Sequence, residues 1–125
     1  AKTVGIDLRY SGTGDDPSSA WGGLASKGNL AVSFDSVGTL DALMRGVGSS
    51  TAASRQPVEP AYFLVAARAD INGDTALASE RSLWVAIQPQ TGRVTTSANV
   101  AQSGKDRTAV RAARANARAA LAVGK

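Results

Sequence analysis

The sequence predicts an α+β domain: an antiparallel sheet of about four to five strands, one short helix near residues 39–46, and a basic C-terminal helix. Three observations predict it. Residues 3–10 alternate apolar and polar, as a strand with one buried face does. Residues 82–96 hold two β-rich runs around Gln88-Pro89-Gln90-Thr91-Gly92, where Pro89 presets a turn and Gly92 suits a positive φ, so they read as a hairpin. Residues 105–123 contain eight alanines and neither Gly nor Pro, the strongest helix-forming composition in the chain.

The remaining elements follow in order. In the first strand Val4, Ile6, Leu8 and Tyr10 share one face, which is expected to point inward. Ser11 to Gly28 is rich in Gly, Ser and Asp and reads as a long surface loop with Trp21 as its apolar anchor. Leu30 to Phe34 is a second strand candidate, with Leu30, Val32 and Phe34 in phase. Over 39–46 the spacing predicts a short helix, in which Thr39 caps the start, Asp41 suits the first turn and Gly46 the stop. Val47 to Pro60 is polar and broken by two prolines, hence a loop. Ala61 to Ala69 is the most continuous apolar run, and its β-branched and aromatic residues favour a buried central strand. Asp70 to Glu80 ends it with turn-forming residues.

At 125 residues the chain has the length of one domain, 1–125, with the basic helix at 104–125. Hydrophobic residues at 43% place it among folding sequences and away from disordered ones. With no cysteine there is no thiolate metal site and no thiol nucleophile; with no histidine the usual general base and the Ser-His-Asp arrangement are gone. The expectation is therefore a protein that is not an enzyme. The apolar runs fall short of the roughly 20 residues that cross a bilayer.

The net charge of +4 is unevenly placed. Residues 105–125 carry six basic side chains against Asp106 alone, while the rest of the chain is close to neutral. On a helix, Arg107, Arg111, Arg114 and Arg118 fall within an arc of about 60°. That stripe reads first as the solvated side of a terminal helix whose arginine stems cover apolar neighbours. Its functional reading is a contact for a polyanion, nucleic acid or an acidic partner, because planar guanidinia pair bidentately with oxyanions.

Asp70, Asn72 and Asp74 have the D-x-N-x-D spacing that sets three oxygens on one side of a calcium loop, although Thr75 and Arg81 occupy the sixth and twelfth positions, where such loops use Gly and Glu. The stretch reads first as an Asx-type turn and second as a calcium candidate; no other cofactor is expected. Ser11-Gly12-Thr13-Gly14-Asp15-Asp16 lacks the Lys-Ser/Thr ending of a phosphate loop and reads as a turn. Ser49-Ser50-Thr51 offers hydroxyls without a sequence-evident base.

Tyr62-Phe63-Leu64-Val65, the run from Leu83 through Gln88-Pro89-Gln90-Thr91-Gly92 to Thr96, and the Ala/Arg helix around Asp106 to Arg118 resemble the closing hairpin and tail of bacterial type IV pilin-like proteins, the pseudopilin relatives. The resemblance covers about half the chain, and the long hydrophobic N-terminal helix of that family has no counterpart in it. It implies the soluble head of an exported, periplasmic or cell-surface protein, acting as a structural subunit among the other subunits of a filament or secretion assembly. Any membrane contact would be made through a segment absent from this chain. The family's members are structural, so the resemblance carries over no catalytic residue.

Overall fold

The computed structural model describes residues 3–14, 21, 23, 30–46 and 53–123 of the chain. Most of the 11–28 loop, Ser49-Ser50-Thr51 and the side chain of Leu121 lie outside the described residues. The elements in chain order are β1 (Val4–Thr13), β2 (Leu30–Phe34), β3 (Leu40–Arg45), β4 (Ala53–Arg55), β5 (Ala61–Ala67), α1 (Arg68–Asn72), β6 (Leu83–Ile87), β7 (Val94–Ala98) and α2 (Arg107–Val123). They form two antiparallel sheets, β1-β5-β6-β7 and β2-β3-β4, which with the helices make an α+β fold.

Strand β5 explains the layering. Its residues alternate between two cores, as the two-residue period of a strand requires. Tyr62, Leu64 and Ala66 join Trp84 and Ala86 of β6 and Ala109, Val110, Ala113 and Ala117 of α2. Ala61 and Phe63 join Ile87, Leu40, Leu43 and Trp21, with Leu30, Val32 and Ala53 packed against them. The larger sheet is thus the middle layer, with α2 on one face and the smaller sheet on the other. A strand buried on both faces needs the continuous apolar run that 61–67 shows, and each fully buried Leu contributes on the order of 2 kcal/mol.

Polar residues close the core rather than interrupt it. Trp84 Nε1 donates to Asn99 Oδ1 (2.9 Å), and Asn99 Nδ2 donates to the carbonyls of Leu77 (2.8 Å) and Ser79 (3.0 Å), which ties the 76–82 segment to the end of β7. In β1 the register slips between Asp7, opposite Leu64, and Gly12, opposite Tyr62. The buried Ser11 hydroxyl fills that gap, accepting from Leu64 N (3.0 Å) and donating to Asp7 O (2.8 Å). The bulge also corrects the expected inward face. Val4 and Ile6 are exposed, Asp7 is buried on the α2 side, and Tyr10 enters the α2 core from within the slipped stretch.

The 39–46 segment is strand β3, not a helix. Asp41 is a bulge: Ser33 pairs with Ala42 and Phe34 with Leu40, skipping one residue. That extra residue puts the buried Leu40 and Leu43 three apart, the spacing of a helix face, inside a strand. Thr39 closes a hairpin turn instead of capping a helix. Its N–H and that of Val37 donate to Asp35 Oδ1, both at 3.0 Å, and its hydroxyl donates to Asp35 Oδ2. Those donors, the Thr39 hydroxyl first, hold the Asp35 carboxyl below its ordinary range. The 47–60 loop contains the three-residue strand β4, and the strand expected over 61–69 stops at Ala67, α1 taking Arg68 and Ala69 together with the start of the segment expected only to turn.

The two hairpin turns meet. Leu40 N donates to Pro89 O (3.0 Å), and Gly92, at φ 69°, sits directly against the Gly38 carbonyl.

Candidate functional site

The acidic residues singled out in the sequence sit where β1, α1 and the approach to α2 converge. Asp70, on α1, receives Arg81 through two hydrogen bonds, Nε to Oδ2 at 2.8 Å and Nη2 to Oδ1 at 3.0 Å. Thr75 Oγ1 adds a third at 3.2 Å. Asp74 lies just past α1 with φ 56° and receives Tyr10 OH (2.7 Å), Arg9 Nη1 (2.9 Å) and Lys105 Nζ (3.2 Å). Arg9 also grips the buried Asp7 by Nε (2.9 Å) and Nη2 (2.7 Å) and reaches Ile71 O (2.7 Å). Asn72 is exposed on α1. Hence Asp70 and Asp74 face different cations, and the spacing that suggested calcium builds an ionic clasp between β1 and the α1 turn. Among the described residues no three acidic side chains are grouped to hold a metal.

The electrostatics follow from these contacts. The Arg81 fork pulls the Asp70 carboxyl from its ordinary 3.8 to about 2. Asp74 is also lowered, first by the Tyr10 hydroxyl and then by Lys105. Tyr10 is pushed up to about 12, by burial and then by its bond to Asp74. A carboxyl whose pKa is depressed in the fold stabilises above its unfolded value and loses that contribution as pH falls toward the folded value. Between about pH 4 and pH 2 the melting temperature is therefore expected to fall more steeply for the wild type than for Arg81→Gln. Parallel curves would show that the pair makes no contribution to acid sensitivity.

The arginine stripe divides. Asp106 caps α2, its Oδ1 accepting Ala109 N at 2.9 Å, and Ala109, Val110, Ala113 and Ala117 turn inward. Arg107, Arg111 and Arg118 are exposed, whereas Arg114 is completely buried. Its Nε and Nη2 donate to Tyr10 O (3.3 and 2.8 Å), its Nη1 donates to Gly14 O (3.1 Å), and its guanidinium carbon lies 5.9 Å from the Tyr62 ring centre. The expectation that all four guanidinia project together is corrected to three. Arg114 borders the apolar seam in the helical rotation, and that position is the only sequence signal of its burial.

Two surfaces escaped the sequence reading. One is the outer edge of β7. Gln88 N bonds Arg93 O and Asn99 N bonds Ser82 O, so the alternation of an antiparallel ladder leaves the N–H and C=O groups of Val94, Thr96 and Ala98 pointing away from β6. All three residues are exposed, and among the described residues β7 pairs with a strand on one side only. Its polar and β-branched residues signalled a strand but not an edge. The other is an open hollow at the α1 end of the larger sheet, beside Val4 and Leu83. No helix among the described residues is long and apolar enough to cross a membrane. No family model, curated protein or solved structure matches the chain, so the pilin-like resemblance rests on its sequence motifs and the functional reading rests on geometry.

Proposed function

We propose that the chain is a non-enzymatic structural subunit, the soluble head of an exported pilin-like or pseudopilin-like filament or secretion assembly. The observation that carries this reading is the open edge of β7. Natural sheets protect an exposed edge with Lys, Pro, a bulge or a covering segment. Val94-Thr95-Thr96-Ser97-Ala98 has no charge, no proline and a regular register with β6. Such an edge accepts a strand from a neighbour through main-chain hydrogen bonds. The ionic clasp is consistent with the same reading, because its carboxylates and cations pair with one another and hold β1 to the α1 turn.

Thr96 tests it, since its side chain is exposed and its N–H points away from β6. Because the chain has no cysteine, Thr96→Cys introduces a single thiol. In cells that export the protein, that thiol is expected to cross-link neighbouring subunits. Thr96→Lys is expected to abolish association while leaving the circular dichroism and melting temperature unchanged. Undiminished association of Thr96→Lys, or no cross-link at all, rejects the proposal.

A second reading is favoured by one observation: Arg107, Arg111 and Arg118 are exposed together along α2. Binding of heparin or duplex DNA that weakens linearly in log–log salt plots, and that is reduced by Arg111→Ala, would support a polyanion-binding role. No binding at low salt removes it.

A further inference from the structure

The outward groups of β7 have a symmetry of their own. Val94, Thr96 and Ala98 turn their N–H and C=O groups away from β6. When a second β7 runs antiparallel beside the first about a twofold axis at Thr96, Thr96 meets its own copy and Val94 meets Ala98 of the other strand. Every outward residue on each strand is then paired, through about six main-chain hydrogen bonds. An axis one residue away leaves part of that set unpaired. No like charges meet, because β7 itself is uncharged and Arg93 falls opposite Asn99.

The other edge of the larger sheet is a poorer match. Strand β1 slips register between Asp7 and Gly12 and carries the charges of Asp7 and Arg9. A head-to-tail contact of β7 with β1 would therefore meet an irregular, charged ladder.

The helix above the sheet fits the same twofold. Helix α2 lies over β6 and β7. Arg114 reaches from it toward β1, onto Tyr10 O and Gly14 O, so that flank of α2 faces away from the β7 edge. Arg107, Arg111 and Arg118 share its arc of about 60°. The opposite flank, toward the edge, holds Ala112, Asn116 and Ala119, which are exposed, short and uncharged. With strands about 4.8 Å apart across the axis, the two α2 axes come to about 10 Å from each other, the distance at which helices pack. The symmetry brings uncharged flanks together and keeps the arginines apart.

We propose that the strand received by β7 is β7 of a second copy of this chain, paired antiparallel about Thr96, with the two α2 flanks meeting above the joined sheets. This rests on the reading of the β7 edge as an assembly surface and names its partner. Such a contact closes on itself, so further growth of an assembly would use other surfaces.

Disulfide trapping with the purified whole chain tests the register, since the chain has no cysteine of its own. Paired residues stand about 5.5 Å apart between Cα atoms, within disulfide reach. Thr96→Cys is expected to link to itself. Val94→Cys and Ala98→Cys are each expected to stay unlinked, because like positions lie about 14 Å apart, and to link when the two are mixed. In sedimentation the wild type is expected to run as a dimer. Thr96→Lys and Thr96→Glu should each weaken association at least about tenfold, with like charges facing across the axis, and an equal mixture of the two should regain it. A monomeric wild type, Val94→Cys linking to itself as readily as Thr96→Cys, or a Lys/Glu mixture that stays apart would each overturn the twofold. If purified copies stay apart while Thr96→Cys in exporting cells links to a different polypeptide, the choice of partner fails and the subunit reading stands. No cross-link in either setting rejects both.

Discussion

Arg114→Ala is expected to cost about 4 kcal/mol of folding stability, against almost nothing for Arg111→Ala one turn away. The buried guanidinium is shared between Tyr10 O and Gly14 O, so it fastens α2 to the end of β1. Truncation leaves those carbonyls without these donors and opens a cavity beside Tyr62. Arg114→Lys keeps the charge but replaces a fork spanning two carbonyls with a single ammonium, and should recover less than half of the loss. Urea unfolding with an unchanged slope measures the difference. If Arg114→Ala is no worse than Arg111→Ala, the fastening role is wrong. With Arg114 buried on those carbonyls, Arg107, Arg111 and Arg118 should govern any salt-sensitive binding.

Gly92→Ala is expected to cost about 3 kcal/mol, for reasons its companion Gly38→Ala separates. A Cβ at Gly92 would lie 1.6 Å from Gly38 O and 2.8 Å from Gly38 C, backbone atoms that cannot swing aside. The two turns must part, loosening the Leu40 N to Pro89 O bond and the packing of Leu40 on Ile87. At Gly38 the φ is 93°, yet nothing lies within 4 Å of the added atom, so only backbone strain of about 1 kcal/mol remains. Thermal or urea melts of both variants decide the matter. Equal losses would mean that strain, not the contact between turns, sets the requirement for glycine.

How much of this was legible depended on whether a signal was local. The 82–96 hairpin announced itself through Pro89 and Gly92, β5 through its apolar run, and α2 through its alanines, because in each case neighbours in sequence set the conformation. Leu40 and Leu43 misled because one bulged residue gave a strand the spacing of a helix, and register is fixed by a partner that sequence does not show. Asp35 and Gly38 already marked the turn that would have argued for a strand. β4 is too short to carry a period. The candidate site was less legible still. Asp70 and Asp74 stood out by spacing, but Arg9, Tyr10, Arg81 and Lys105, which decide what they do, arrive from distant segments. Arg114 looked like its three neighbours until the approach of β1 gave it carbonyls to hold.

The position of β5 also has a consequence in time. It meets β6 across a connection of 15 residues that includes α1, but its other neighbour is the first strand of the chain, Val4 lying opposite Ala67. Closing so long a loop is entropically slow, so the β5-β6-β7 meander should form before β1 arrives. Native-state amide exchange is expected to reflect that order, with Asp7 giving up its protection ahead of Val85. The strand that arrives last is the one Arg114 bolts down, which makes a single side chain near the C-terminus the gatekeeper of how quickly the N-terminus lets go.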